Sequence, residues 1–153
     1  MCIVNYELCI MKRLLLTLGF LLLAAHGLLA QQLRIDQVFR RYSAQENARE
    51  VVMSGKSVKK DYHITLFHSL DLTKPSAREV ADVESAVEHD TREALEREEK
   101  RSREGLLQSG FYALKGKKHL RRYIFYRRGA DKVSVIYIEG SATMKEMKSM
   151  FKK

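Results

Sequence analysis

Histidines, paired carboxylates and serines are the side chains here that could carry chemistry, and their spacing limits what each can do. His63 and His68 stand five apart in a strand-like stretch and point to opposite faces. His89 precedes Asp90 in a helical stretch, where neighbours do not converge, and His119 stands alone. No H-E-x-x-H or comparable ligand spacing occurs, so neither a metal site nor a cofactor is expected. Glu84 and Glu88 share one helix face at i and i+4. Acid–base work needs a pocket that pulls two carboxyl pKa values apart, and a solvated helix face supplies none. Ser134 and Ser141 lack the G-x-S-x-G elbow of a serine nucleophile, and no phosphate-binding glycine loop is present. No catalytic residue is expected.

A second constellation is basic and aromatic. Tyr112, Tyr123, Phe125, Tyr126 and Tyr137 interleave with Lys117, Lys118, Arg121, Arg122, Arg127 and Arg128. Such a surface can stack bases or sugars and attract phosphate. The chain carries a net charge of +9, and its basic excess is concentrated after residue 105. Aromatics on strands are more often core, and solvated charge that keeps a small protein soluble is the plainer account. The six cations are nonetheless the candidate surface for a partner protein or an anionic envelope component such as lipopolysaccharide, phospholipid headgroups or acidic glycans.

The N-terminus sets the compartment. Residues 1–10 have no leader logic and read as an upstream start assigned in error. Met11, Lys12 and Arg13 form a basic start, Leu14–Leu23 an apolar run, and Ala24, Ala25, Gly27 and Ala30 a small-residue end. This is the layout of a secretory signal peptide over residues 11–30, with cleavage expected after Ala30 to leave Gln31 first. A membrane anchor is the competing reading. Leu14–Ala30 offers 17 residues, the short limit of the roughly 17–25 that span a bilayer, so no transmembrane anchor is expected after cleavage. The chain is expected in the periplasm or secreted, where nucleic acid is not the expected partner. Cys2 and Cys9 both fall before Met11, so the mature chain has no disulfide to lean on and must be held by its core.

Residues 31–153 suit one domain. Ile35, Val38, Phe39 and Tyr42 fall on one helical stripe within 33–43. Strands are predicted over 49–54 and 62–72, the second apolar on both faces, with a turn through Gly55 and Lys56–Lys60. Ser76 and Glu79 after Pro75 make a capping box. The helix that it opens is predicted to continue to about Glu104, on a stripe of Val80, Val83, Val87, Ala94 and Leu95. Its charged second half, EREEKRSRE, is expected as a solvated face with Glu96–Lys100 and Glu99–Arg103 pairs. Strands over 111–114, 120–127 and 132–139 follow, joined by turns at Lys115–Lys118 and Gly129–Asp131, and hence antiparallel. Thr143 and Glu146 open a last helix with Met144, Met147 and Phe151 on its apolar stripe and Lys148, Lys152 and Lys153 towards its end. The order is α-β-β-α-β-β-β-α, an α+β fold: a mainly antiparallel sheet of about five strands with helices packed on one face.

An apolar leader ending in Ala30-Gln31, the helix IDQVFRRYS, the strand REVVMS and the segment VSVIYIEG before the terminal helix resemble the small exported domain-of-unknown-function proteins of Bacteroidota. The resemblance implies an envelope or exported location and an α+β fold, and lends no catalytic residue. Unlike the lipoproteins among such families, this chain has no cysteine at the cleavage site. The expectation is a non-enzymatic binding or accessory module of the cell envelope. The alternatives are a small hydrolase with a site scattered through the sequence, or a binder of anionic membrane or glycan surfaces.

Overall fold

The Ile35, Val38, Phe39 and Tyr42 stripe does form a helix, α1 (Arg34–Tyr42), and all four side chains are buried. The chain is seen in a computed structural model that describes residues 32–55 and 63–151. The expected upstream start, the leader at 11–30, the turn residues after Gly55, and Lys152 and Lys153 lie outside them.

After α1 the chain runs through β1 (Ala48–Ser54), β2 (Ile64–Thr73), α2 (Ala77–Asp90), β3 (Glu96–Arg101), β4 (Leu107–Lys115), β5 (Arg121–Arg128), β6 (Lys132–Gly140) and α3 (Met144–Phe151). The six strands form one sheet in the order β1-β2-β6-β5-β4-β3, and every neighbouring pair is antiparallel. The fold is α+β as expected, with one strand more than the sequence suggested. Among the described residues no helix is long and apolar enough to cross a membrane.

The extra strand replaces the second half of the expected long helix. The capping box forms: Glu79 N–H donates to Ser76 Oγ at 3.3 Å, and Ser76 N–H to Glu79 Oε2 at 2.6 Å. Val80, Val83, Ala86 and Val87 are buried. The helix then stops at Thr91, whose hydroxyl donates back to the Val87 carbonyl at 2.7 Å. Beyond it EREEKR has no apolar stripe to bury, and helix without packing is marginal in water. As a strand the same residues gain a full backbone ladder with β4, although all six are exposed. The expected i,i+4 pairs are replaced: Glu99 is bound by Arg97 and Arg101, and Glu96 by Arg121.

The helices divide between the two faces instead of sharing one. α1 and α2 pack with Leu70, Leu72, Tyr112, Ile124, Tyr126, Val133, Val135 and Tyr137. On the opposite face Met144 and Met147 of α3 bury against Phe111, Ala113, Tyr123 and Ile138. The cause is the side-chain alternation of the inner strands. In β6, Val133, Val135 and Tyr137 face α1 and α2, while Ile136 and Ile138 face α3. A strand apolar on both sides needs cover on both. The Thr143–Glu146 capping box holds the start of α3, with Thr143 N–H on Glu146 Oε2 at 2.6 Å and Glu146 N–H on Thr143 Oγ1 at 3.4 Å.

Candidate functional site

The carboxylates of the first face are taken up by buried phenols. Tyr42 donates to Asp82 at 2.6 Å, Tyr112 to Glu99 at 2.9 Å, Tyr126 to Glu84 at 2.7 Å and Tyr137 to Glu139 at 2.6 Å. Each ring is buried in the core and each hydroxyl reaches its rim, where a carboxylate meets it. Burial first, and then the carboxylate, push the Tyr112, Tyr126 and Tyr137 hydroxyls far above their ordinary range. The Tyr42 hydroxyl, followed by Arg41, holds Asp82 below the usual carboxylate range. Burial raises Glu99, but bonds from Tyr112 and Arg101 outweigh it and leave its carboxyl low. Glu84 and Glu88, which share a helix face, do not work together: Glu84 also takes Arg128, while Glu88 faces Arg101 at 3.8 Å.

The histidines are likewise dispersed. His68 stacks on Phe39, ring centres 3.7 Å apart, and its Nε2 lies 2.7 Å from Glu50. His89 contacts Asp90 at 3.1 Å. His63 precedes β2, and His119 sits in the turn between β4 and β5.

The second face is different. Register places Lys100, Ser109, Arg127, Ser134, Asp71 and Arg49 side by side in one polar row across all six strands. The row two residues along each strand is Glu98, Phe111, Phe125, Ile136, Ser69 and Val51. α3 covers this second row in part and stops there, with Phe151 stacked on Phe125 at 5.2 Å and 14°. Phe111 meets Phe125 edge-on at 5.8 Å. Lys148 of α3 pairs with Glu98 of β3 and lies over the Phe111 ring.

An open groove results. One part, of about 660 Å³, is bordered by Lys100, Ser109, Phe125 and Arg127. An adjoining part of about 300 Å³ shares Lys100, Ser109 and Phe125 and reaches Phe111, Lys148 and Phe151. At the far end of the polar row Asp71 is satisfied. Burial raises it, but Ser134 and Lys132 more than reverse this, and Lys132 lies at 2.9 Å. At the near end Lys100 and Arg127 are exposed, and among the described residues neither has a carboxylate partner.

The six cations singled out in sequence do not form one surface. β5 is eight residues long, which sets its ends about 23 Å apart over seven steps of roughly 3.3 Å, and separates them. Lys117, Lys118 and Arg121 lie at one end, Arg127 and Arg128 at the other. Alternation divides them again. Arg121 and Arg127 face the α3 side, while Arg122 and Arg128 face the α1–α2 side. Arg121 pairs with Glu96 at 3.4 Å, Arg122 donates to the Lys115 carbonyl at 2.9 Å, and Arg128 binds Glu84 at 3.1 Å. Of the six, Arg127 alone borders the groove's aromatic floor from the α3 side. Lys100 and Ser109, its neighbours there, escape sequence reading because their approach depends on the register of β3, and EREEKR carries no alternation to reveal a strand.

Residues 22–151, which include every element from α1 to α3, match the family described as a family of unknown function, DUF6108. The chain belongs to DUF6108. No curated protein and no solved structure matches this DUF6108 chain. In it, β3, β4, β5 and α3 together build the groove, so this surface depends on the register of β3 against β4.

Proposed function

We propose that this DUF6108 protein is an exported, non-enzymatic binding or accessory module of the cell envelope, and that the groove beside α3 is its contact surface. The observation that carries the reading is the unequal treatment of charge on the two faces. Carboxylates on the α1–α2 side are bound to tyrosines and arginines, while Lys100 and Arg127 border an aromatic groove and neither is paired with a carboxylate among the described residues. Cations held beside half-buried aromatic rings suit an anionic partner with an apolar portion. The basic start, apolar run and small-residue end of residues 11–30 support export.

The test is in the cell. The full-length gene product, tagged at its C-terminus, is crosslinked in intact cells, fractionated and read by mass spectrometry. The expected result is a processed chain beginning near Gln31 in the envelope or medium, with one stoichiometric partner whose crosslinks map to β3, β5 and α3. An unprocessed cytoplasmic chain ends the envelope reading. Crosslinks confined to the α1–α2 face end the groove's part in it.

A further inference from the structure

We infer that the groove binds a small aromatic carboxylate, its carboxylate between Lys100 and Arg127 above the Ser109 hydroxyl and its ring on the Phe125–Phe151 stack. The inference rests on the binding-module reading and adds the class of ligand. Lys100, Ser109 and Arg127 stand on adjacent strands of one row, so the two cations flank the serine at about 10 Å, twice the strand spacing of roughly 4.8 Å. Both have side chains long enough to close on a group over Ser109. Arginine offers a planar fork that matches a carboxylate, lysine a mobile point charge, and the serine a third donor. The Ser109 hydroxyl has no side-chain hydrogen bond among the described residues, whereas Ser134, its counterpart beyond Arg127, helps to hold the Asp71 carboxyl below its ordinary range.

The charge of the groove fits one negative charge. Lys148 is matched by Glu98, Arg128 by Glu84, and Glu99 by Arg101. Glu104, at the outer lip, is held by Ser102. Among the described residues, Lys100 and Arg127 against Glu104 leave an excess of one positive charge, which suits a monoanion better than a phosphate dianion. The apolar part is short. The Phe125 row lies two residues, about 7 Å, from the Arg127 row, and the Lys148–Glu98 pair closes the far side. That length holds one ring and a short linker, not an extended acyl chain. Phe125 and Phe151 are both half-buried with their rings stacked, so an added ring extends an existing arrangement.

The full-length gene product, purified from cells, is titrated with 3-phenylpropionate by calorimetry and ligand-observed NMR, alongside the neutral 3-phenylpropanol and the cationic 3-phenylpropylamine. The acid is expected to bind at least tenfold more tightly than the alcohol, with no binding of the amine. The double variant Lys100→Gln, Arg127→Gln should weaken the acid at least tenfold and leave the alcohol unchanged, and Ser109→Ala should weaken the acid a few-fold. Equal binding of acid and alcohol, no binding of the acid, or an acid affinity untouched by the double variant would overturn the inference. So would a peptide with a free C-terminal phenylalanine that binds where 3-phenylpropionate does not, which hands the groove to a protein terminus. If 3-phenylpropionate does not bind the unaltered protein while the crosslinked partner still maps to β3, β5 and α3, the ligand class falls and the binding-module reading stands.

Discussion

The carboxylate of Asp90 caps Ile35 across 55 positions of sequence. Its Oδ2 accepts from the Ile35 N–H at 2.8 Å and its Oδ1 from the Arg34 N–H at 3.0 Å, with the side chain almost wholly buried. Leu33, the residue before α1, offers no capping side chain. α1 therefore borrows its cap from the last residue of α2, and one group ties the two helices end to end. Asp90→Ala should cost about 1–3 kcal/mol, since two helix N–H groups lose their acceptor, and Asp90→Asn should cost less because one carbonyl oxygen remains. Urea unfolding of the three proteins checks the order.

Glu84 joins Tyr126 of the core to Arg128 at the surface. Tyr126→Phe removes one hydroxyl and leaves the ion pair, at about 1 kcal/mol. Glu84→Ala strands a buried phenol donor and an arginine together, so it should cost more, about 2–3 kcal/mol. A reversed order in thermal unfolding would show that the phenol is satisfied by something other than Glu84.

Gly110 gives Tyr112 its place. The Tyr112 ring lies over Gly110, where any Cβ would overlap it, and Glu99 stands opposite Gly110 on β3. The missing side chain is what lets the hydroxyl reach Glu99. Gly110→Val should displace the ring, cost about 1–3 kcal/mol and loosen β3 first. Hydrogen exchange should quicken at residues 96–101 while α1 stays protected; uniform quickening would contradict the proposed link.

Acid should weaken the fold, and the sign can be divided between residues. Asp71, Glu79, Asp82 and Glu99 have carboxyls held below their ordinary range. Their contribution is complete above the ordinary range near pH 4 and is lost as pH falls through their lowered values. Asp36 runs the other way. Burial, then the charge of Asp90, raises it, with Arg40 and His68 in partial opposition, so its charge costs stability at neutral pH. Asp36→Asn should therefore raise the melting temperature at pH 7, and the gain should vanish near pH 3. A gain that persists at pH 3 would place the effect outside its ionisation.

Much of the fold is legible in sequence where one face must be buried. The stripe of α1, both capping boxes and the alternation of β6 announce themselves because core and solvent sort their residues by period. β2 and β6, apolar on both faces, also carry the reason that helices lie on both sides, although the sequence reading placed them on one. β3 is invisible because backbone bonds and charge hold it, and neither leaves a periodic trace. The groove inherits that blindness: Arg127 stands out in the sequence, but its meeting with Lys100 and Ser109 exists only once EREEKR is laid beside β4.

The wall that β3 gives the groove has a further property. Its six residues are all exposed, and beside the Tyr112 bond to Glu99 and the Arg97 bond to the Thr91 carbonyl its side-chain hold on the rest of the protein is ionic, through Glu96–Arg121, Glu98–Lys148 and Arg101–Glu88. Such pairs are screened at high ionic strength, where the Debye length shrinks from about 10 Å at 0.1 M to about 3 Å at 1 M. The surrounding salt thus acts on this edge twice, thinning the attraction of Lys100 for an anion and slackening the strand that positions it. The buried rings of the core are far less sensitive to salt, so brine and fresh water should differ most at this edge.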